Sequence, residues 1–169
     1  DKRFGNLWIG SRPTPLQGKF QVVYLDFSRA SGGSGSLEEN FNNYCGMVMD
    51  LFGKVYEPYY FPGFAQKMEE QPDFVSKLNY LNLHAAESGM KLYLIIDEYD
   101  NFTNIVLNEQ GKDIYHALTH ASGFYREIFK KFKGMFERIF MTGVSPVTLD
   151  DLTSGFNIGW NISTDYQFN

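Results

Sequence analysis

Residues 91–98, with the sequence KLYLIIDE, place an uninterrupted apolar segment directly before two adjacent carboxylates. A short apolar run of this kind is typical of a strand that is buried in a parallel sheet. In such a sheet, ligands bind outside the carboxyl ends of the strands. We therefore predict a buried strand over residues 91–96 and a candidate site at Asp97 and Glu98, where the strand ends.

Two other apolar runs predict neighbouring strands. Residues 20–27 read FQVVYLDF and residues 138–142 read RIFMT, and both runs are rich in β-branched or aromatic residues. Segments with helical periodicity separate the three strands. Alternation of strands and helices indicates βαβ units, and hence an α/β fold with a parallel sheet. The architecture that we expect is a three-layer α/β sandwich with a mainly parallel sheet.

Capping residues and periodic apolar positions predict the helices. Ser36 and Glu39 form a capping box at the start of one helix, and Asp73 caps a second helix that ends near Gly89. A third helix is expected over residues 122–133 and a short fourth over residues 145–155. The apolar positions expected to face the core are Leu37, Phe41, Tyr44, Val48, Leu51 and Val55 in the first helix, Phe74, Leu78, Leu81 and Ala85 in the second, and Phe124, Ile128 and Phe132 in the third.

The composition is typical of one globular domain. The chain has 169 residues, of which 43% are hydrophobic and 17% aromatic, and a net charge of -5. An acidic chain does not itself attract nucleic acid, and the sequence contains no apolar run of the roughly 20 residues that a membrane helix needs. The lone Cys45 excludes an internal disulfide. We expect a cytoplasmic protein, and since the chain starts at Asp1 we interpret it as a segment of a longer parent protein.

The adjacent acids suggest phosphoryl-transfer chemistry. Consecutive residues leaving a strand point in different directions, so Asp97 can reach Mg²⁺ through a water while Glu98 faces an attacking water. This arrangement is the Walker B pattern. Strand-end carboxylates that only cap the following turn fit the local sequence equally well.

Three stretches of the chain resemble the AAA-ATPase-like family. They are FGNLWIGSRPTPLQGKFQVVYLDFS at residues 4–28, LYLIIDEYDNF at residues 92–102 and RIFMTGVSPVTLDDLTSGFNI at residues 138–158. The resemblance implies a P-loop NTPase-like fold with ATP and Mg²⁺ as cofactors. It implies that Asp97 matches the metal-coordinating acid, Glu98 the catalytic base and Thr142 the sensor 1 residue. Family members often carry a C-terminal restriction-endonuclease-like nuclease domain, which becomes an expected partner.

The phosphate-binding loop of that family, G-x-x-x-x-G-K-[ST], is not found in this sequence. Residues 5–12, GNLWIGSR, have the two glycines but not the required order of Lys and Ser or Thr, and Pro13 disfavours a helix there. The Gly-Lys pairs that begin at Gly18, Gly53 and Gly111 lack the hydroxyl that binds Mg²⁺. We therefore interpret residues 1–169 as a partial domain with the Walker B and sensor 1 region, and expect this chain alone to be inactive.

Other candidate sites have simpler interpretations. The SGGSGS stretch at residues 31–36 follows a strand, but it lacks phosphate-loop spacing and fits a native loop or an engineered linker equally. His116 and His120 have zinc-helix spacing, yet Ala117 replaces the glutamate of such hydrolases and no third ligand is evident.

Basic residues are weak candidates as well. Compensation of a helix dipole explains Lys130, Lys131 and Lys133 better than a contact with phosphates does, and a nucleic-acid partner stays open. Three arginines could act as transition-state arginines, although a surface or ion-pairing role explains each of them better. They are Arg29, Arg126 and Arg138.

Two other functions compete with the ATPase hypothesis. A catalytically degenerate ATPase fold could act as a protein interaction module that uses its aromatic surface, and the sequence upstream of Asp1 would distinguish the two. A hydrolase that pairs Asp97 with Asp100 is disfavoured, because glycosidase acids usually come from separate strands.

Overall fold

A computed structural model of the protein describes residues 5–30, 34–109, 111–119, 123–144, 162, 163, 165 and 166. Its centre is a three-stranded sheet in the order β1 (Phe20–Asp26), β2 (Lys91–Asp97) and β3 (Arg138–Met141). Both strand pairs are parallel. The predicted α/β fold with a parallel sheet is therefore confirmed for the described part of the chain.

Helices connect the strands in the predicted alternation. The α-helices are α1 (Trp8–Ser11), α2 (Leu37–Tyr56), α3 (Phe64–Glu69), α4 (Phe74–Glu87), α5 (Asn101–Glu109), α6 (Lys112–Thr119) and α7 (Phe124–Met135), with 3₁₀ turns at Phe27–Arg29 and Glu57–Tyr59. The helix expected over residues 145–155 lies outside the described residues.

The capping predictions are confirmed in α2 and α4. The Ser36 N-H donates to Glu39 Oε2 at 2.7 Å, and the Glu39 N-H donates back to Ser36 Oγ at 3.2 Å. Asp73 accepts from the Ser76 N-H at 2.7 Å. After α4, Gly89 has a φ of 66°, a left-handed conformation that glycine adopts without a steric penalty.

Two features differ from the sequence expectations: the exposure of two α2 side chains and the end of the third predicted helix. Leu51 and Val55 of α2 are exposed, because the buried stripe passes through Met49 and Phe52 toward the side on which α3 packs. The third predicted helix, expected over residues 122–133, ends two residues later, at Met135.

The core lies against one face of the sheet. Alternate residues of β1 and β2 are buried beneath the helices, while the side chains between them form a second face. On that second face Tyr24 is 49% exposed and Phe140 is 42% exposed. The sheet and the helices packed on it thus form two layers of the predicted three-layer sandwich in the described part of the chain. The interpretation of β2 as buried on both faces is correct for one face only, since Tyr93 and Ile95 are half-buried.

Aromatic rings fill the core, which explains much of the high aromatic content. Phe41 of α2 lies at the centre of the cluster and is fully buried. Its ring makes edge-to-face contacts, with centroids 5.1–6.1 Å apart, to Phe27, Phe74, Phe102, Phe124 and Tyr125. Such pairs stabilise a core beyond simple area burial. The aromatic residues therefore join the 3₁₀ turn after β1 to α2, α4, α5 and α7 as one unit.

A buried ion pair joins α2, α3 and α4. Lys77 is only 6% exposed, and its Nζ contacts Asp50 Oδ1 and donates to the Met68 carbonyl at 3.1 Å. Nearby, Lys54 and Glu69 form a 2.7 Å ion pair that is largely exposed to solvent. The two lysines thus provide a buried and an exposed link between the same helices.

Replacing Lys77 with Ala should lower the free energy of unfolding by about 3 kcal/mol, because Asp50 and the carbonyl at the end of α3 lose a buried cationic partner. The matched Lys54→Ala variant should lose much less stability than Lys77→Ala, since exposed pairs are screened by water. Urea denaturation of both variants measures the difference. Equal losses would show that burial does not strengthen the Lys77 contact.

No helix in the described part of the chain combines the length and the apolar character needed to cross a membrane.

Candidate functional site

Side chains from two neighbouring strands meet at the carboxyl end of the sheet. Asp97 is the last residue of β2, and Thr142 follows directly after β3. Because these strands run parallel, both residues reach the same end, and the Thr142 hydroxyl donates to Asp97 Oδ1. The structure thus brings Asp97 and Thr142 together at one end of the sheet. The chemical roles of the two residues stay predictions.

Tyr24 is a third member of the site that the sequence analysis missed. Its hydroxyl donates to Asp97 Oδ2 at 3.0 Å. The parallel register aligns Tyr24 of β1 with Ile95 of β2 and so places its ring on the same sheet face as Asp97. The Glu98 N-H also donates to Asp97 Oδ1, at 3.1 Å. Asp97 consequently receives hydrogen bonds from all three strands or their exits.

These hydrogen bonds favour the ionised form of Asp97. The Thr142 hydroxyl, and then the Tyr24 hydroxyl, lower the pKa of Asp97 below its usual value. The same contact raises the pKa of Tyr24, because the neighbouring carboxylate disfavours a phenolate. At neutral pH the site thus holds a carboxylate beside two neutral hydroxyl groups.

An ionised carboxylate of this kind suits Mg²⁺. Magnesium prefers oxygen ligands, and proteins often supply one or two carboxylates while phosphates and water complete the shell. Asp97 Oδ2 accepts one described hydrogen bond, from Tyr24, so a second lone pair can accept from a metal-bound water. Among the described residues, no three His, Cys, Asp or Glu side chains group as metal ligands.

Glu98 leaves the strand in an unusual backbone conformation. Its φ is 51°, and no other non-glycine residue in the described ranges has a positive φ. Left-handed backbone costs an ordinary L-residue roughly 1 kcal/mol. The Glu98 side chain is exposed, and its Oε2 accepts from Asn101 Nδ2 at 3.1 Å. The contact with Asn101 places this carboxylate at the start of α5.

Asp100 does not pair with Asp97. It is buried, and its two carboxylate oxygens both accept from the Val144 N-H at 3.2 Å. The disfavoured hydrolase based on Asp97 and Asp100 therefore lacks the facing carboxylates that it would need.

The arginine candidates are dispersed over the structure. Arg29 lies over the Tyr44 ring at 5.8 Å, and Arg126 lies within α7. Arg138 begins β3, so it lies at the end of the sheet opposite Asp97. None of these placements brings an arginine to the Asp97 carboxylate in the described structure.

The remaining candidates gain no functional support. Lys130 contacts Glu127 one turn earlier in α7, as an ordinary helix ion pair does. His116 lies on α6 with its ring against Tyr115, while His120 lies outside the described residues. The first three residues of the SGGSGS stretch also lie outside them, and Ser36 at its end caps α2.

A parallel α/β sheet with an acid and a hydroxyl at its carboxyl end is the general architecture of proteins that bind ligands at that edge. Comparison with protein families makes the assignment specific: residues 1–153 match the family described as Predicted AAA-ATPase, and the chain belongs to that family. No curated protein and no solved structure matches the chain.

Proposed function

We propose that this chain is the Walker B and sensor 1 part of a domain that binds and hydrolyses ATP. The observation that carries the proposal is the convergence of Asp97 and Thr142 at the carboxyl end of the parallel sheet, with Glu98 directly beside them. Family membership supports the same conclusion. In this proposal the parent protein is cytoplasmic. Its phosphate-binding loop would lie before this segment in the sequence, and a nuclease-like domain would follow the segment.

Each residue of the site has one role in this proposal. Asp97 would hold Mg²⁺ through a bound water, and Mg²⁺ would neutralise charge on the β- and γ-phosphates. Thr142 would donate a hydrogen bond to the γ-phosphate or to the attacking water. Tyr24 would hold the second oxygen of Asp97 and so fix the plane of the carboxylate.

Glu98 would act as the general base. It would accept a proton from water while the water oxygen bonds to the γ-phosphorus, and the bond from that phosphorus to the β,γ-bridging oxygen would break. The products are ADP and inorganic phosphate. The contact between Asn101 and Glu98 supports this role, since it holds the carboxylate at the sheet end in an exposed position that a water can reach.

The isolated chain should show no saturable binding of Mg-ATP at micromolar nucleotide, whereas the parent protein should release phosphate from ATP in a magnesium-dependent reaction. The reason is that the backbone cradle and lysine of a phosphate loop provide most of the phosphate affinity in this class. Calorimetry on the chain and a phosphate-release assay on the parent protein measure the two quantities. Tight binding by the chain would place the phosphate site elsewhere, and a parent protein without hydrolysis would overturn the proposed function.

A second candidate function is a degenerate ATPase fold that serves as a protein interaction module. The observation that favours it is the partly exposed apolar face of the sheet, with Val22, Tyr24 and Phe140. An intact G-x-x-x-x-G-K-[ST] motif upstream of Asp1 favours the enzyme, while a scrambled motif favours the module.

A further inference from the structure

The chain segments that leave β2 and β3 are bonded to each other. The Thr142 N-H donates to the Ile96 carbonyl at 2.9 Å, and the Tyr99 N-H donates to the Thr142 carbonyl at 3.0 Å. Two residues after Thr142, the Val144 N-H donates to the Asp100 carboxylate. The pairing of the two strands thus continues beyond the sheet and encloses Thr142 from both sides.

Asp100 lies at the centre of this connection. It is only 3% exposed, and besides Val144 it binds Asn104 Nδ2 through Oδ2 at 3.2 Å. Its carbonyl accepts from the Asn104 N-H at 2.8 Å and from the Thr103 hydroxyl at 3.0 Å, which fixes it to the first turn of α5. A buried carboxylate is tolerated only when donors satisfy it. Asp100 therefore joins α5 firmly to the segment that follows β3.

Gly143 permits the close approach that this connection requires. A Cβ atom at position 143 would lie 2.5 Å from Tyr99 Cε1 and 2.6 Å from Asp100 Oδ1, closer than real side chains allow. Tyr99 cannot easily move away, because its carbonyl accepts from the buried Tyr125 hydroxyl at 2.7 Å. A glycine directly after Thr142 is thus a steric requirement of the packing around Asp100.

We propose that Asp100 is a positioning residue, which fixes the Thr142 hydroxyl against Asp97 by holding Val144. The expected effect of Asp100 on the rate of hydrolysis rests on the proposed ATPase function, while its expected effect on the position of Thr142 does not. Thr142 has its own amide and carbonyl bonded to the β2 exit, and Val144 is the next donor along the chain. When Asp100 is lost, residues 142–144 can shift, and displacements of about 1 Å cost up to roughly 10²-fold in rate.

The test uses Asp100→Ala and Asp100→Asn in the parent protein. Asp100→Ala should lower kcat for Mg-ATP by roughly 10- to 10²-fold, with the dissociation constant of a non-hydrolysable ATP analogue unchanged within about twofold. Amide hydrogen exchange of residues 142–144 should accelerate. Asp100→Asn keeps one oxygen that can accept from Val144, so its kcat and exchange rates should lie between those of Asp100→Ala and wild type.

Glu57→Ala is the matched control. Glu57 is also a carboxylate that holds a loop, because its Oε1 accepts from the Gly63 N-H at 2.8 Å. It follows α2, whose Tyr56 contacts Val22 near the start of β1, at the opposite end of the sheet. Glu57→Ala should lower the unfolding midpoint but leave kcat and the exchange of residues 142–144 unchanged.

The outcomes separate this inference from the proposed function. If Asp100→Ala leaves exchange at residues 142–144 unchanged, or if Glu57→Ala reduces kcat equally, the positioning role is overturned. If the wild-type parent protein does not hydrolyse ATP, the proposed function fails, and the exchange comparison alone decides whether Asp100 positions Thr142. If Asp100→Ala does not fold, Asp100→Asn provides the same comparison.

Discussion

The Glu98→Gln variant of the parent protein is expected to bind ATP normally and to hydrolyse it roughly 10²- to 10⁴-fold more slowly, the contribution of a general base. The amide of Gln has the shape of the carboxylate and can still accept from Asn101 through its oxygen. It cannot accept the proton of the attacking water. Single-turnover hydrolysis and equilibrium nucleotide binding, measured on the same preparation, test the two halves of this expectation.

The Glu87→Gln variant is a suitable control for this exchange. Glu87 lies at the end of α4, where its carboxylate contacts His84 Nδ1 at 2.7 Å and is largely exposed. The same loss of one charge should leave turnover unchanged there. Wild-type turnover in Glu98→Gln would remove the general-base role and favour the interpretation of Glu98 as a residue that only caps the turn before α5.

The Asp97→Asn variant should fail differently, with magnesium-dependent binding and turnover both reduced. Without the carboxylate charge the site would hold Mg²⁺ less well, and the charge stabilisation that Mg²⁺ would supply to phosphoryl transfer is worth roughly 10²-fold and more in rate. In the wild type, the hydroxyls of Thr142 and Tyr24 donate to the two Asp97 oxygens. The Asn side chain would replace one of these oxygens with an NH₂ group, which is a donor, so one of the two hydrogen bonds would be lost. Titration of Mg²⁺ at fixed ATP measures the loss of metal affinity.

Asp26→Asn controls for a change of charge at the same end of the sheet. Asp26 is the register partner of Asp97 in β1, and it accepts from the Ser28 N-H at 3.1 Å. Its substitution should not alter the dependence on Mg²⁺. If Asp97→Asn and Glu98→Gln have the same effect in binding and turnover assays, the division of roles between the two acids is wrong.

Local sequence signals predicted the elements that build this site. The apolar run before Asp97, the capping box at Ser36 and the glycine at position 89 depend on contacts within a few residues, so each is readable without the fold. The meeting of Asp97 and Thr142 agrees with one general rule, that parallel strands place their carboxyl ends together. These expectations hold in the described structure.

The features that were missed depend on long-range packing. Tyr24 looked like one more apolar residue of a strand, and only the register between β1 and β2 brings its hydroxyl to Asp97. Asp100 looked like part of an acidic cluster, whereas its partner lies 44 residues away in sequence. Exposure of Leu51 and Val55 depends on where α3 packs. Sequence periodicity carries no information about such partners.

At position 98 the residue that would be best for stability differs from the residue that the proposed catalysis needs, because the backbone there is left-handed. Glycine would relieve a conformational cost of roughly 1 kcal/mol there, yet it would remove the carboxylate to which we assign proton transfer. Selection for thermal resistance alone would therefore favour glycine at position 98. Under the proposed mechanism, the selected clones would fold better but hydrolyse ATP much more slowly. Retention of glutamate in a strained conformation is the outcome expected when selection acts on activity, and a protein engineer who optimises this domain for stability should hold that residue fixed.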